Sequence, residues 1–500
     1  MTKIKTDSKL KSEMNIGELY NIYKECGGRV TTDSRKVEGG ELFFALKGGN
    51  FDGNEYAMKA LEAGAAYAVV DRSSAVATEY ASSGASAGRL PEPVANDTKA
   101  GRTAVPENIT GRLIPVDDTL AALQALARWH RSMTFVDGRP LTVLALTGTN
   151  GKTTTKELIR AVLATEYTVT ATEGNLNNSI GVPLTLLKIN ADTRIAVVEM
   201  GASHPGDIRE LTSVALPTYG LITNVGKAHL LGFGSLEGVM AAKGELYDYL
   251  QRTADKAFVN ADNPYLREMA AARPDLKTIP YGLRYEGAEV LPSSPEHPYL
   301  RIRLADGTEV GTHLVGAYNA DNVMTALAVG REFGIPEEDA VQAISDYVPT
   351  NNRSQMVRTG SNTLIVDAYN ANPASMAAAI DNLASVDAGH KAVMLGNMLE
   401  LGADSVREHV SVLKRLGTMK CLDRILLVGE EFRKALDAMR LSCNDSCGSG
   451  MATSCLDGQV KWFATSSGAA DWLKENPLSG YCVLVKGSRG TKMEEVLPCL

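Results

Sequence analysis

The chain has 500 residues, of which 44% are hydrophobic and 22% are charged. This is the composition of a globular protein of roughly three domains, at about 150 residues per domain, and it excludes disordered and fibrous classes. Lysine and arginine total 51 against 59 aspartates and glutamates, which gives a net charge of −8. Such a balance argues against a general nucleic-acid binder.

Neither hydropathy nor cysteine content indicates a membrane or secreted protein. No apolar run reaches the roughly 18 residues needed to cross a bilayer, and MTKIKTDSKLKSEMNIGELY has no apolar core behind its lysines, unlike a secretory signal. Seven cysteines, an odd number, do not form a disulfide framework. Cys443, Cys447 and Cys455 lack a Cys-x2-Cys pair or a nearby histidine and predict a thiol-bearing loop rather than a metal site. We expect a cytoplasmic monomer without a membrane span.

The first 118 residues are predicted to form a small α/β domain. MNIGELYNIYKECG has the apolar spacing of a helix that ends at glycine, ELFFALKG indicates a strand, and AMKALEAGAAYAVVD indicates a helix followed by a strand. Residues 73–112 are rich in Ser, Ala, Gly and Pro, so we interpret them as a flexible insertion. LIPVDD predicts a last short strand.

Residues 119–349 are predicted to form a central α/β domain. The helix TLAALQALARWHRSM leads into strand candidates separated mostly by helical segments, namely LTVLAL, YTVTATE, RIAVVEMG, YGLITNVG and KAFVNAD. This alternation predicts a mostly parallel sheet covered on both faces. RIRLADGTEVGTHL predicts a hairpin with an Asp-Gly turn, and NADNVMTALAVGREFG a helix.

Residues 350–500 repeat the alternation and predict a second doubly wound, Rossmann-like domain. Its strand candidates are TLIVDAYN, HKAVMLGN, DRILLVGE and YCVLVKGS, with helices such as SVREHVSVLKRLG between them. In such folds the ligand lies at the carboxyl ends of the strands. We therefore expect polar residues at those strand ends to line a site.

The strongest local signal is LTVLALTGTNGKTTTKELIRAVL, a buried strand followed by a glycine-rich loop and a helix. Glycines let backbone N–H groups point at a phosphate, and the helix N-terminus adds a positive dipole end. Lys152 is predicted to pair with the β- and γ-phosphates, and the Thr153 hydroxyl to ligate magnesium. Leu146 replaces the first glycine of the general pattern. The sequence thus predicts an ATP site formed by Gly148, Thr149, Asn150, Gly151, Lys152, Thr153 and Thr154.

Other polar residues near predicted strand ends are candidates for the same site. Glu199 ends the strand RIAVVE, where a second ligand of a nucleotide-bound metal is expected. Asn224 ends another strand, and His229 follows it in a loop; spacing alone favours a ligand and a structural histidine equally. Lys243 lies in the helix GVMAAKGELYDYL, where spacing alone indicates no more than a solvated lysine.

Taken together, the motifs are specific, and the chain resembles the Mur ligases of peptidoglycan synthesis over nearly all its length. The motifs that carry the resemblance occur in the family's order: TTDSRKVEGGELFFAL, GTNGKTT, TEGNLNNSIGVPLTLL, EMGASHPGDI, ITNVGKAHLLGFGS, AAKGE, GAYNADN, DAYNANPASM, LGNMLELG and KGSRGTKMEEV. GNLNNSIGVPLTLL together with YNANPASM and NMLELG points to the branch that adds D-alanyl-D-alanine.

The resemblance implies an ATP- and Mg²⁺-dependent amide ligase of three domains. The first would hold the UDP end of UDP-N-acetylmuramoyl-tripeptide, the second ATP, and the third the incoming D-alanyl-D-alanine. The tripeptide carboxylate would attack ATP to give an acyl phosphate and ADP, and the dipeptide amine would then displace phosphate. Two readings remain open beside it: a related Mur-type ligase with another acceptor, and a nucleotide-binding protein without ligase activity.

The resemblance also implies roles for individual residues. Lys152, His229, Lys243 and Arg353 would be catalytic, with Thr153, Glu199, His229 and a carbamylated Lys243 as magnesium ligands. ATP would also meet Asn319, Asn322, Arg353 and Asp367. The UDP-sugar-peptide would contact Thr32, Asp33, Ser34, Arg35, Lys47, Thr172, Asn175, Asn177 and Asn178, while Asn370 and Asn372 would line the nucleotide or dipeptide pocket. Asn-rich turns also often bond only their own backbone.

Five positions depart from the family pattern. Tyr318 and Asn54 stand where histidines are usual, Ala368 and Asn397 where aspartates are usual, and Leu231 where a glutamate is usual. Each change removes a polar or acidic group but leaves the phosphate loop and Glu199 intact. We interpret them as lineage variation, and they leave the exact dipeptide contacts open.

Overall fold

The structure is a computed structural model that describes residues 15–49, 51–82, 111–294, 296–350, 353–419, 422–444 and 459–500. Residues 83–110 of the predicted insertion, with Cys447 and Cys455, lie outside the described residues. The chain divides into two compact units. One is drawn from residues 1–143, 170–200 and 210–217, and the other from residues 144–169, 201–209 and 218–500. The predicted bounds of the three domains stay a prediction.

The N-terminal part of the chain contains a four-stranded parallel sheet in the order β1-β2-β3-β4. Its elements are α1 (Ile16–Glu25), β1 (Val30–Thr31), β2 (Leu42–Phe44), α2 (Ala57–Glu62), β3 (Tyr67–Asp71), α3 (Ala75–Ser82), β4 (Leu113–Val116), α4 (Thr119–Ser132), β5 (Phe135–Val136) and β6 (Arg139–Pro140). Apolar side chains of β2, α2 and β3 form the core, with Phe43, Leu61 and Val70 fully buried.

The prediction of one flexible insertion over residues 73–112 is wrong for its first part, because α3 is helical. The Ser74 hydroxyl accepts a hydrogen bond from the Ala77 N–H (3.3 Å), which satisfies one of the open N–H groups at the helix start. Ala77 is buried in the core and Val76 packs against it. An alanine-rich composition that we interpreted as flexible therefore forms a short helix with an apolar face.

The middle part of the chain alternates strands and helices from the phosphate loop onward. Its elements are β7 (Thr142–Thr147), α5 (Lys152–Leu163), β8 (Val169–Ala171), α6 (Gly181–Leu186), β9 (Ile195–Glu199), α7 (Asp207–Ala215), β10 (Tyr219–Ile222), α8 (Leu230–Phe233), α9 (Leu236–Thr253), β11 (Lys256–Asn260), α10 (Pro264–Ala271), β12 (Lys277–Tyr281), β13 (Glu289–Leu291), β14 (Arg301–Arg303), β15 (Glu309–Gly311), α11 (Ala320–Glu332) and α12 (Glu337–Asp346).

Parallel pairing in this part confirms the predicted central sheet. Strands β12, β11, β10 and β7 lie side by side in that order, and each pair is parallel. The register places Ile222 opposite Thr147, so both strands deliver the following residues to one edge of the sheet. The predicted Asp-Gly hairpin is confirmed as the antiparallel pair β14 and β15, and β13 joins it as a third strand.

The C-terminal part is a doubly wound domain, as predicted. Its elements are β16 (Gln355–Arg358), β17 (Thr363–Asp367), α13 (Pro373–Ser385), β18 (His390–Gly396), α14 (Ser405–Gly417), β19 (Arg424–Val428), α15 (Glu430–Asn444), β20 (Val460–Phe463), α16 (Ser466–Glu475) and β21 (Tyr481–Lys486). The strand order is β16-β17-β21-β18-β19-β20, with only β16 antiparallel.

Two apolar cores cover the two faces of this sheet. Side chains of α13, α14 and α15 pack on one face and those of α16 and the C-terminal segment on the other. Cys443 lies within α15 and not in the predicted loop. Among the described helices, none has the length and apolarity that a bilayer crossing requires.

Candidate active site

The loop between β7 and α5 has the backbone of a phosphate site. Gly148 and Gly151 adopt positive φ angles of 147° and 79°, which glycine accepts without steric cost. A side chain at Gly148 would overlap the Thr223 hydroxyl, and one at Gly151 would press on the Asn322 amide. Thr153 and Thr154 are buried in the first turn of α5. The loop therefore presents N–H groups and a helix N-terminus to the same space.

Asn224, at the end of β10, fixes the shape of this loop. Its side-chain oxygen accepts a hydrogen bond from the Asn150 N–H (2.9 Å), and its amide donates to the Asn150 carbonyl (3.1 Å). The Thr223 hydroxyl donates to the same carbonyl (2.6 Å). Asn224 is thus a positioning residue for the predicted ATP site.

Three nitrogen-bearing side chains come together beside the loop. Lys152 donates to the carbonyls of Gly148 (2.8 Å) and Thr149 (3.3 Å), so its ammonium is held at the loop. His229 lies at the start of α8, with Nδ1 against a carboxylate oxygen of Glu400. Lys243 on α9 is 2% exposed and its Nζ is 6.0 Å from the Phe233 ring centroid.

Electrostatics link these groups. Burial lowers the pKa of His229; Glu400 opposes this shift, and the charges of Lys152 and Lys243 add to it. Burial and the charge of Lys152 hold the pKa of Lys243 well below its usual range. Within the described chain, no carboxylate lies within ion-pair distance of Lys243. The cluster therefore favours a neutral imidazole and a neutral amine, the forms that bind metals and react as nucleophiles.

Asn319 and Asn322 lie buried behind the loop. Asn322 donates to the Asn319 side-chain oxygen (2.8 Å) and accepts from the Thr155 hydroxyl (2.9 Å), while Asn319 donates to the Val315 carbonyl (2.9 Å). These bonds hold α11 against α5. A direct contact of either asparagine with ATP stays a prediction.

Asn372 links the C-terminal domain to the phosphate loop. Its amide donates to the Asn150 side-chain oxygen (2.7 Å), and its own oxygen caps α13 by accepting from the Ser375 N–H (2.9 Å). Asn370 accepts from the N–H of the next residue, Ala371 (2.9 Å). The two predicted asparagines thus lie in one loop, which is bonded to the ATP loop.

A buried lysine that the sequence analysis did not single out holds the same loop. Lys486 ends β21, is 1% exposed, and its Nζ pairs with the Asp367 carboxylate and donates to the Asn370 carbonyl (3.2 Å). Register pairs Lys486 with Asp367 across neighbouring parallel strands. One signal for this lysine was present in the sequence, because Lys486 begins the segment KGSRGTKMEEV that carries part of the resemblance.

Arg353 lies against an aromatic ring instead of a carboxylate. Its guanidinium carbon is 3.7 Å from the Tyr369 ring centroid, a cation–π distance, and that of Arg489 is 5.7 Å from the same ring. The Nε of Arg353 is buried without a hydrogen-bond partner. Two guanidinium groups thus flank the loop that follows β17.

Glu199 ends β9 as a buried carboxylate, in the compact unit that includes residues 1–143 and 170–200. It accepts a hydrogen bond from the Asn177 amide (2.8 Å), and its own N–H donates to the Thr172 hydroxyl (2.9 Å). The Asn178 side chain accepts from the Gly181 N–H (2.8 Å) just before α6, and the Asn175 carbonyl accepts from the Asn177 N–H (2.8 Å). The Asn-rich segment therefore combines local turn bonds with one contact to Glu199.

The predicted UDP segment forms a tight turn. Asp33 caps a short 3₁₀ helix that begins at Ser34, accepting from the Arg35 N–H (3.1 Å) and pairing with the Arg35 side chain (2.9 Å). These bonds to Arg35 lower the pKa of Asp33 to about 2. Thr32 adjoins this turn, and Lys47 pairs with Asp52 (3.2 Å). Substrate contacts at these residues stay predictions.

Comparison with known proteins identifies the family to which this chain belongs. Three family models match consecutive segments: the Mur ligase family catalytic domain over residues 29–131, the Mur ligase middle domain over 146–330, and the Mur ligase glutamate ligase domain over 352–489. The chain is 35% identical to the UDP-N-acetylmuramoyl-tripeptide–D-alanyl-D-alanine ligase of Bacillus subtilis, covering 94% of this chain and 92% of that one. The chain belongs to the Mur ligase family.

Further relatives have the same name and fold. The Escherichia coli UDP-N-acetylmuramoyl-tripeptide–D-alanyl-D-alanine ligase is 31% identical over 94% of this chain and 93% of its own. The crystal structure of MurF from Acinetobacter baumannii superposes with a TM-score of 0.74 at 28% identity, covering 94% of this chain and 92% of that chain. The resemblance and the fold class predicted from the motifs are therefore confirmed.

Local packing explains four of the five departures from the Mur ligase pattern. Ala368 lies in an apolar core, where an unpaired carboxylate would be costly. Asn397 accepts from the Phe432 N–H (3.3 Å), and Asn54 bonds to the carboxylates of Asp52 (2.7 Å) and Asp71 (3.0 Å). The Tyr318 hydroxyl bonds to the Ser354 hydroxyl (3.1 Å), and burial raises the pKa of Tyr318. Nothing in the structure explains Leu231, which is 75% exposed.

Proposed function

We propose that this Mur ligase joins D-alanyl-D-alanine to UDP-N-acetylmuramoyl-tripeptide, converting ATP to ADP and phosphate. The observation that carries the proposal is the cluster of Lys152, His229 and Lys243 beside the phosphate loop, with Asn372 of the C-terminal domain bonded to that loop. The names of relatives at 31–35% identity support the same substrates.

The first step joins two anions. A carboxylate oxygen of the tripeptide attacks the γ-phosphorus, the bond to the β–γ bridging oxygen breaks, and ADP leaves with its electron pair. Lys152 and the N–H groups of the loop would offset the charge on the phosphates, and Arg353 would add a planar guanidinium. The product is an acyl phosphate.

The second step forms the amide. The dipeptide amine attacks the acyl carbon, the carbon–oxygen bond to phosphate breaks, and the nitrogen loses a proton. An acyl phosphate is hydrolysed readily, so water has to be excluded between the two steps. The direct bond between Asn372 and Asn150 supports a role of the C-terminal domain in covering the ATP loop.

The residues present suit magnesium. A lowered pKa keeps His229 in the neutral form that ligates a metal, and Thr153 and Glu199 supply buried oxygens. Within the described residues, no three histidine, cysteine, aspartate or glutamate side chains form a ready-made metal cluster. We propose that Thr153 and His229 hold Mg²⁺, which would polarise the phosphate oxygens, and that Glu199 has the metal-binding role that the resemblance implies.

Lys243 is proposed to carry a carbamate. CO₂ adds to neutral amines, and burial next to Lys152 favours the neutral amine at Lys243. The nitrogen loses one proton in this addition, so the product is an anion, which the charge of Lys152 and the metal would stabilise. The remaining assigned contacts, from Thr32 to Lys47 and from Thr172 to Asn178, belong to the proposed UDP-sugar-peptide site. We also expect the protein to act as a monomer in the cytoplasm.

Phosphate release tests the proposal directly. Purified protein is incubated with ATP, Mg²⁺ and UDP-N-acetylmuramoyl-tripeptide, with and without D-alanyl-D-alanine, and products are identified by mass. We expect sustained release only with both substrates, together with the UDP-pentapeptide. Release with a single amino acid in place of the dipeptide would assign another acceptor, and ATP binding without release under any pairing would indicate a protein without ligase activity.

A further inference from the structure

The loop after β21 has a guanidinium that the proposed chemistry has not used. Arg489 is exposed, and its guanidinium carbon is 5.7 Å from the Tyr369 ring centroid. Within the described chain no carboxylate lies within ion-pair distance of Arg489. The neighbouring Lys486 differs, because its charge is balanced by Asp367. Arg489 therefore remains available for an anion that the protein does not itself supply.

An apolar side chain lies next to this guanidinium. Leu399 is 43% exposed, although it is a large hydrophobic residue. Its N–H donates to the Ser488 hydroxyl (3.0 Å), and its Cδ1 lies so close to Gly490 that an added Cβ there would be 2.9 Å away. The Leu399 side chain thus lies over the residue that follows Arg489.

Both groups are tied to the reaction centre. Glu400, the residue after Leu399, contacts His229 beside the phosphate loop. Ser488, the residue before Arg489, donates to the Ala371 carbonyl (3.2 Å) in the loop that holds Asn372. An exposed leucine and a guanidinium without a counterion therefore lie in segments that contact His229 and the loop of Asn372.

We propose that Arg489 and Leu399 form the subsite for the carboxyl-terminal residue of the acceptor dipeptide. This inference rests on the proposed function. An alanyl dipeptide offers an amine at one end and, about 7 Å away at about 3.5 Å per residue, a carboxylate beside a methyl group. Arg489 pairs with that carboxylate through planar donors, and Leu399 packs against the methyl group. The amine then points away from Arg489, toward the acyl carbon.

The test is the dependence of initial rate on dipeptide concentration at saturating ATP and UDP-substrate. Charge-assisted hydrogen bonds are worth about 1.5–3 kcal/mol, so Arg489→Gln should raise the dipeptide KM about 10- to 100-fold. The KM of Arg489→Gln for ATP should stay within about twofold of the wild-type value. The dipeptide KM of Arg489→Lys should lie between those of the wild type and Arg489→Gln. Arg433→Gln is the matched control, because the Arg433 guanidinium also lies over an aromatic ring, that of Trp462 (4.9 Å).

Substrate variants separate binding from structural damage. D-alanyl-D-alaninamide lacks the carboxylate, so it should be a poorer acceptor than the dipeptide for the wild type but nearly equal to it for Arg489→Gln. D-alanyl-glycine lacks the terminal methyl group, and its disadvantage of about fourfold, from about 0.8 kcal/mol per buried CH₂, should disappear in Leu399→Ala. An unchanged dipeptide KM in Arg489→Gln, or undiminished discrimination against the amide, would overturn the subsite. Failure of the wild type to ligate the dipeptide would instead overturn the proposed function, and the subsite with it.

Discussion

Removing Lys486 should destabilise the C-terminal domain strongly. The lysine is 1% exposed and the side chain of its partner, Asp367, is 16% exposed, so the pair is almost fully desolvated. Replacing one partner of a buried ion pair leaves the other charge unpaired and costs about 3–5 kcal/mol. Methionine has nearly the same volume as lysine, so Lys486→Met should lower the free energy of unfolding by that amount. Adding Asp367→Asn removes the unpaired charge, so the double variant should recover about half of the loss.

Tryptophan fluorescence can report this domain alone. The chain has three tryptophans, and Trp462 and Trp472 both pack against the C-terminal cores. A Trp129→Phe background therefore leaves reporters only where β17 and β21 lie. Urea unfolding of the wild type, both single variants and the double variant gives the coupling free energy of the pair. A loss below about 1 kcal/mol in Lys486→Met, or additive effects of the two substitutions within about 0.5 kcal/mol, would refute the reasoning.

Three further predictions concern the site and its supporting loop. Lys152→Ala should reduce turnover by about 100-fold or more with an unchanged urea midpoint, and normal turnover would contradict the phosphate-loop assignment. Lys243→Ala should be inactive, with partial rescue by formate or acetate, whereas ¹³CO₂ should give a carbamate NMR signal only in the wild type; full activity of the variant would exclude the carbamate. Buried His409 accepts from the Met398 N–H (3.0 Å) and bonds to the Ser405 carbonyl (2.7 Å), and burial lowers its pKa from the usual 6.5. As the pH falls through 6.5, the unfolded chain therefore binds the proton before the folded chain does, and the stability of the wild type should decline. The urea midpoint, measured between about pH 7.5 and 5.5, should decline less in His409→Gln than in the wild type. Equal declines in the two proteins would contradict this prediction.

Local patterns predicted most of the fold. The strand–loop–helix of residues 142–163, the hairpin at 301–311 and the strands β17, β18, β19 and β21 all follow from apolar runs and turn residues that lie within one segment. Short edge strands were not predicted, because a strand of four residues at the edge of a sheet does not require a recognisable run of apolar residues. Both β16 and β20 are of this kind. Helix α3 was missed because composition was weighted above its apolar face.

The site was harder to predict, because its decisive contacts join distant parts of the chain. Lys486 and Asp367 are 119 residues apart, and Asn372 and Asn150 are 222 apart. No spacing pattern in the sequence predicts that Glu400 contacts His229 or that Asn224 bonds to Asn150, because each lies in an ordinary loop or near a strand end. The resemblance implied a role for residues such as Arg353, but only the structure shows that the Arg353 guanidinium stacks on the Tyr369 ring.

A comparison of the buried lysines supports the proposal that the cluster at the phosphate loop is functional. Lys156, Lys243 and Lys486 are each at most 2% exposed. Burying an ammonium costs several kcal/mol unless an opposite charge compensates. Lys156 has Glu157 at 2.7 Å and Lys486 has Asp367, but the charge that acts on Lys243 is that of Lys152, which disfavours an ammonium there. A fold gains no stability from that arrangement. It becomes favourable once an anion arrives, whether a carbamate on Lys243 itself or the phosphates of ATP, and that gain is then available to hold the reacting groups.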